Sequence, residues 1–143
     1  MAVKQLSILA RTRKGSLRKI IDIIAASGAD LRSICIADTE DFGILRVIVN
    51  KPAETEKLLK ENDWTYKTAE VIGVKVPDRP GGVAEVLEAI TEAEVNVEYM
   101  YAFVNRKETR ADVIFRVSDE DCCTSMLRTL GIDILTAEEA YSG

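Results

Sequence analysis

Val76-Pro77-Asp78-Arg79-Pro80-Gly81-Gly82-Val83 packs two prolines and two glycines into six residues, and its reading decides the fold. Proline fixes φ and glycine admits positive φ, so the backbone turns sharply here and brings amide groups close to a ligand. An apolar-periodic segment follows, so a helix opening near Gly82 points unpaired N–H groups and its positive dipole end into the turn. The sequence offers one counterpart, Ala10-Arg11-Thr12-Arg13-Lys14-Gly15-Ser16-Leu17.

Working outward from the two turns gives the rest of the chain. Ala2 to Leu9 alternates Leu6 and Ile8 with polar residues, a half-buried strand pattern. Leu17, Ile20, Ile21 and Ile24 form an i, i+3, i+4, i+7 stripe, and Gly28 stops that helix. Leu31 to Ala37 reads as a strand, Thr39-Glu40-Asp41 as a hairpin turn and Gly43 to Val49 as a third strand. A helix opens at Pro52, carries Leu58 and Leu59 inward and ends near Asn62; Trp64 to Ile72 is the fourth strand.

The order then repeats. A shift of 66 sets Gly15 on Gly81, Leu17 on Val83, Ile20 on Val86, Ile24 on Ile90 and Asp30 on Asn96. A second hairpin at Asn105 to Thr109, two residues longer, moves the shift to 68. Leu45, Val47 and Val49 then fall on Val113, Phe115 and Val117, and Thr68-Ala69-Glu70 on Thr136-Ala137-Glu138. The chain is thus two copies of β-α-β-β-α-β, residues 1–70 and 71–143.

Each copy is expected to form a four-stranded antiparallel sheet with both helices on one face. Its second strand lies at an edge, and an exposed edge on so small a unit is a liability. The expected remedy is pairing of the two edge strands, Leu31 to Ala37 with Val97 to Phe103. Leu31, Ser33, Cys35 and Ala37 give a mostly small face, opposed by Val97, Tyr99, Tyr101 and Phe103. The expected fold class is α+β: two tandem ferredoxin-like βαββαβ units sharing one eight-stranded antiparallel sheet, helices on one face. The outer edges and the open sheet face then favour a homodimer.

Composition narrows the function. The chain has 143 residues, 47% hydrophobic and 30% charged, as in a folded globular protein. No apolar run approaches a membrane span and no signal-peptide pattern opens the chain, so no membrane partner and a cytoplasmic location are expected. A net charge of −5 disfavours nucleic acid, although Arg11, Arg13 and Lys14 cluster before the first acid, Asp22. Histidine is absent, which removes the commonest general base and metal ligand. Cys35, Cys122 and Cys123 match no zinc spacing and no disulfide framework. Cys123 shares a helical stripe with Met126, Leu127 and Leu130, a core placement, and Asp119, Glu120 and Asp121 cap that helix after Ser118. No Gly-x-Gly-x-x-Gly and no phosphate loop occur, so no nucleotide cofactor is expected.

The element order, Asp78-Arg79-Pro80-Gly81 after a strand ending in Val76, and Asn96-Val97 opening the next strand together resemble an ACT domain. The likeness covers the whole chain as two tandem copies, the first looser, with Arg11 to Gly15 in place of Asp-Arg-Pro-Gly and Asp30-Leu31 in place of Asn-Val. It implies regulatory binding of a small ligand, most often an amino acid, between the first turn of one unit and the second strand of its neighbour. Carried over by position, the implied ligand-binding residues are Asp78, Arg79, Pro80, Gly81, Gly82 and Val83, with Asn96 beside them. The equivalent set is Arg11, Lys14, Gly15, Ser16, Leu17 and Asp30. A ligand carboxylate suits N–H groups at a helix start, and an ammonium suits the Asn96 carboxamide oxygen or the Asp30 carboxylate. The cationic first turn, lacking proline, makes the two sites unequal.

The leading expectation is therefore an amino-acid-binding regulatory protein without catalysis or metal, its ligand held at the joint of the two units. The alternative is an interaction or assembly module regulating a separate metabolic enzyme. A small enzyme built on carboxylates or Cys35 is a third reading, for which the sequence supplies no nucleophile and base.

Overall fold

The computed structural model describes residues 3–11, 15–38, 42–76, 79–103 and 111–142. The chain divides between Ala69 and Glu70 into an N-terminal unit, Lys4–Ala69, and a C-terminal unit, Glu70–Tyr141. The elements run β1 (Val3–Arg11), α1 (Ser16–Ala26), β2 (Leu31–Asp38), β3 (Phe42–Val49), α2 (Pro52–Glu61) and β4 (Tyr66–Val76). They continue α3 (Gly82–Glu92), β5 (Val97–Phe103), β6 (Ala111–Val117), α4 (Glu120–Thr129) and α5 (Ala137–Ser142). The expected hairpin turns at 39–41 and 105–109 lie outside the described residues.

In the N-terminal unit β3 pairs antiparallel with both β1 and β2. Leu9 N–H donates to Thr65 O at 2.9 Å, where the chain enters β4. Leu6, Ile8, Leu45 and Val47 share one face and are buried with Ile20 and Ile24 of α1 and Leu59 of α2. The C-terminal unit repeats the plan. β6 pairs with β4 and β5, and Val74, Val113 and Phe115 are buried with Val86 and Ile90 of α3 and Cys123 and Leu127 of α4. Small equivalences survive too: Asn50 N–H donates to Asp30 O at 3.2 Å, and Ser118 N–H to Asn96 O at 3.0 Å. The α+β class and the duplication are as read from the sequence. In each unit the first two helices pack on one face.

Two features differ from expectation. Eight strands were expected, whereas the described residues hold six, in hydrogen-bonded order β2-β3-β1-β4-β6-β5. The fourth and fifth expected strands are one continuous strand, β4. The eighth shrinks to a bridge between Ile134 and Val74, flanked by Lys75 N–H to Asp133 O (2.9 Å) and Leu135 N–H to Gly73 O (2.7 Å). After it Thr136 and Glu139 cap each other reciprocally, Glu139 N–H to Thr136 Oγ1 at 3.1 Å and Thr136 N–H to Glu139 Oε1 at 3.2 Å. This Thr-x-x-Glu capping box starts α5 where a strand was expected.

The second difference concerns the edges. β2 pairs with β3 and β5 with β6, and each ends the strand order, so the expected β2–β5 pairing is not formed. The face assignment also changes, because the register slips between Leu31 and Ser33 and, equivalently, between Val97 and Tyr99. A bulge moves the following residues to the other face. Leu31 and Val97 therefore join the helix-side cores, while Ser33 and Cys35 oppose Ile48 and Arg46 on the far face. Ser33, Ile48, Asp112 and Ile114 are all buried.

Candidate functional site

The strand-to-helix turns are the same object built twice. Gly15 (φ 87°) precedes α1 and Gly81 (φ 85°) precedes α3, both in the left-handed region, and neither helix has a side-chain cap. The first turns close alike, Lys19 N–H to Gly15 O at 3.1 Å and Glu85 N–H to Gly81 O at 3.0 Å. Positive φ is why glycine stands there; a Cβ would meet nothing within 4 Å at either position. Open space plus a helix N-terminus suits an anionic group.

The nominated residues divide by place. Ser16, Leu17, Gly82 and Val83 occupy the first helical turns, with Leu17 43% exposed and Gly82 buried. Arg79 and Pro80 form the turn before Gly81. Arg79 Nη2 lies 2.8 Å from both carboxylate oxygens of Glu85, an exposed pair, so its cation is already engaged. Arg11 ends β1, whereas Lys14 and Asp78 lie outside the described residues.

Asp30 and Asn96 sit at the far ends of α1 and α3. Asp30 N–H donates to Asn50 Oδ1 at 2.7 Å and Asn96 N–H to Ser118 Oγ at 3.1 Å, which pins both backbones. An 11-residue helix separates Gly81 from Asn96. At 1.5 Å per residue that is about 16 Å. One unit therefore does not bring its own glycine turn and its own Asn96 together, although the sequence reading set them side by side. Helix length, available from the sequence, was the neglected signal.

Two clefts are also present. One of about 510 Å³ in the C-terminal unit runs beside α4 between Glu70, Glu120, Asp121 and Arg128 over Ile72 and Ile134. Burial first, and then the neighbouring Glu70 carboxylate, push the Glu120 carboxyl up, while Arg116 holds it at 3.0 Å. The other, of about 590 Å³, lies in the N-terminal unit between α1 and the turn after α2, and includes Ser16. Sequence reasoning nominated neither, since both are lined by residues distant in the chain.

Cys123 is buried, its thiol pushed up to about 11 chiefly by that burial, and Cys122 Sγ donates to Ala93 O at 3.4 Å. Among the described residues no group of three His, Cys, Asp or Glu is placed to hold a metal ion. Among the described residues no helix is long and apolar enough to cross a membrane.

Two repeats in one chain, βαββαβ in the first and βαββα closed by a bridge in the second, each opening its first helix on a left-handed glycine, define a tandem ferredoxin-like protein. The family model for an ACT domain pair matches residues 1–139, and the chain belongs to that family. Among solved structures it is similar to protein BT0572 from Bacteroides thetaiotaomicron, 36% identical, covering 100% of this chain and 98% of that one with a TM-score of 0.93. It also resembles in fold the regulatory subunits of aspartate kinase from Thermus thermophilus (16% identity, TM-score 0.65) and Thermus flavus (11%, 0.64), each covering 92% of both chains. No curated protein matches the chain.

Proposed function

We propose that this chain is a regulatory protein that binds a small molecule, an amino acid, at its left-handed glycine turns, and performs no catalysis of its own. The observation that carries the reading is the duplicated turn: two helix N-termini behind glycines at φ 87° and 85° with open space before them. The ligand carboxylate sits against the first N–H groups of α3 or α1. Membership of the ACT domain pair family and the fold shared with regulatory subunits support a regulatory rather than catalytic role.

The other half of each site comes from a second copy. β4 and β5 run parallel to one another, both antiparallel to β6, so Gly81 follows one end of the sheet and Asn96 precedes the other. Antiparallel pairing of a β5 edge with the edge of a second molecule reverses the neighbour, which carries its Asn96 to the end holding Gly81. Asn96 then receives the ammonium through its carboxamide oxygen. Asp30 does so with added charge in the first-turn site. This replaces the joint expected within one chain by one between copies, in the cytoplasm.

Calorimetric titration with each common amino acid tests the reading. Saturable heat from at least one, with the second-turn site lost in Asn96→Ala, is the expected result. Silence from all of them defeats it. An untreated sample that instead co-purifies with one metabolic enzyme and binds no amino acid supports an assembly role.

A further inference from the structure

The cleft of about 590 Å³ between α1 and the turn after α2 shares only Ser16 with the glycine-turn half-sites paired above. Its size falls within the range of small-molecule sites. Its charges are ordered along α1. Ser16 and Lys19 stand at the N-terminal end, where the helix dipole is positive, and Asp22 follows one turn later with Asp63 facing from the opposite wall. Ile23 and the Trp64 indole supply apolar surface. Residues 19 and 22 are about 4.5 Å apart along the helix axis, a spacing that suits the two charged ends of an amino-acid head group.

Two further observations favour a ligand here. The Lys19 ammonium and the Asp63 carboxylate have no ion-pair partner among the described residues, while Asp22 is held by Arg18 at 3.3 Å. Asp63 also keeps a left-handed backbone, φ 58°, which disfavours a side chain. The same turn in the C-terminal unit is closed by the same bonds. Asp63 N–H reaches Lys60 O at 3.2 Å and Gly131 N–H reaches Arg128 O at 3.1 Å, but there the residue is glycine (φ 73°). The polarity is not repeated either: the position of Lys19 is taken by Glu85 and that of Trp64 by Ile132.

We propose that this cleft is a second binding site for a zwitterionic amino acid, with the carboxylate on Lys19 and Ser16, the ammonium between Asp22 and Asp63, and the side chain on Trp64. The proposal rests on the amino-acid reading above and adds a site that only the N-terminal unit has.

Trp64 is the single tryptophan of the chain, so its fluorescence reports this cleft directly. Full-length protein is titrated with each proteinogenic amino acid, alongside Lys19→Met and Asp63→Gly, the latter compatible with the fold because glycine already serves at 131. The expected result is a saturable Trp64 response to at least one amino acid, with each variant raising Kd by about tenfold or more. No response from any amino acid, or a response that neither variant shifts, overturns the proposal. Heat that Asn96→Ala abolishes while Trp64 stays silent overturns this cleft and leaves the glycine-turn reading standing. A Trp64 response that survives Asn96→Ala and weakens in Asp63→Gly supports the cleft alone.

Discussion

At the scale of single residues, one backbone conformation gives opposite predictions at two places. Gly81 at φ 85° has no neighbour within 4 Å of a would-be Cβ, so a substitution there is opposed by the backbone alone. Gly81→Ala is expected to lower unfolding stability by about 1–2 kcal/mol in urea titration. Asp63 at φ 58° is the reverse case, and Asp63→Gly is expected to raise stability by roughly 0.5–1 kcal/mol, read the same way. A loss of stability in Asp63→Gly would mean its carboxylate has a structural partner. The first of these positions was legible from the sequence, because glycines between a strand and a helix announce positive φ. The second was not, since an aspartate carries no such mark; the shift of 68 onto Gly131 is what reveals it.

At the scale of elements, β4 and the C-terminal segment explain most of what the sequence withheld. Alternation and stripes located the first four helices and most strands, because burial on one face imposes those periods. They gave no sign that two strands fuse without a turn between Trp64 and Val76, nor that the last strand yields to a helix. The capping box of Thr136 and Glu139 was present in the letters but was overridden by the match to Thr68-Ala69-Glu70. Gly73 lies under Leu135, whose Cδ1 would be 2.7 Å from an added Cβ. Gly73→Ala is therefore expected to displace segment 133–135 and cost about 1–3 kcal/mol, with faster hydrogen exchange at Lys75 and Leu135.

The same segment carries a pH dependence. The Lys75 ammonium, 2.6 Å from Glu139, holds that carboxyl below its ordinary value of 4.5, aided by Thr136 N–H. A depressed folded value means the contribution is present above the unfolded pKa and is lost as pH falls through the folded one. Amide exchange within α5 should accelerate as pH drops below 4.5, after correction for intrinsic rates, and Lys75→Met should flatten that dependence. Equal acceleration in both proteins would assign it elsewhere.

At the scale of the molecule, duplication leaves two strands, β2 and β5, ending the strand order, and both present apolar residues. Ile34 and Ile36 on β2 are 44% and 46% exposed, and Met100 on β5, at the position equivalent to Ile34, is 38% exposed. Apolar residues exposed on an edge strand invite pairing with another chain. Met100→Lys is expected to shift the protein toward monomer in sedimentation velocity and to weaken amino-acid binding by about tenfold or more. Ligand choice was not legible from the sequence, because the half-sites meet only between molecules and no periodicity encodes an intermolecular contact. The most direct test combines calorimetry of wild type and Asn96→Ala against the common amino acids with sedimentation of both. The account predicts a dimer in each case, saturable heat in wild type, and fewer binding sites in Asn96→Ala, which keeps those at Asp30 and Trp64. A monomeric wild type, or a number of sites that Asn96→Ala leaves unchanged, would contradict it.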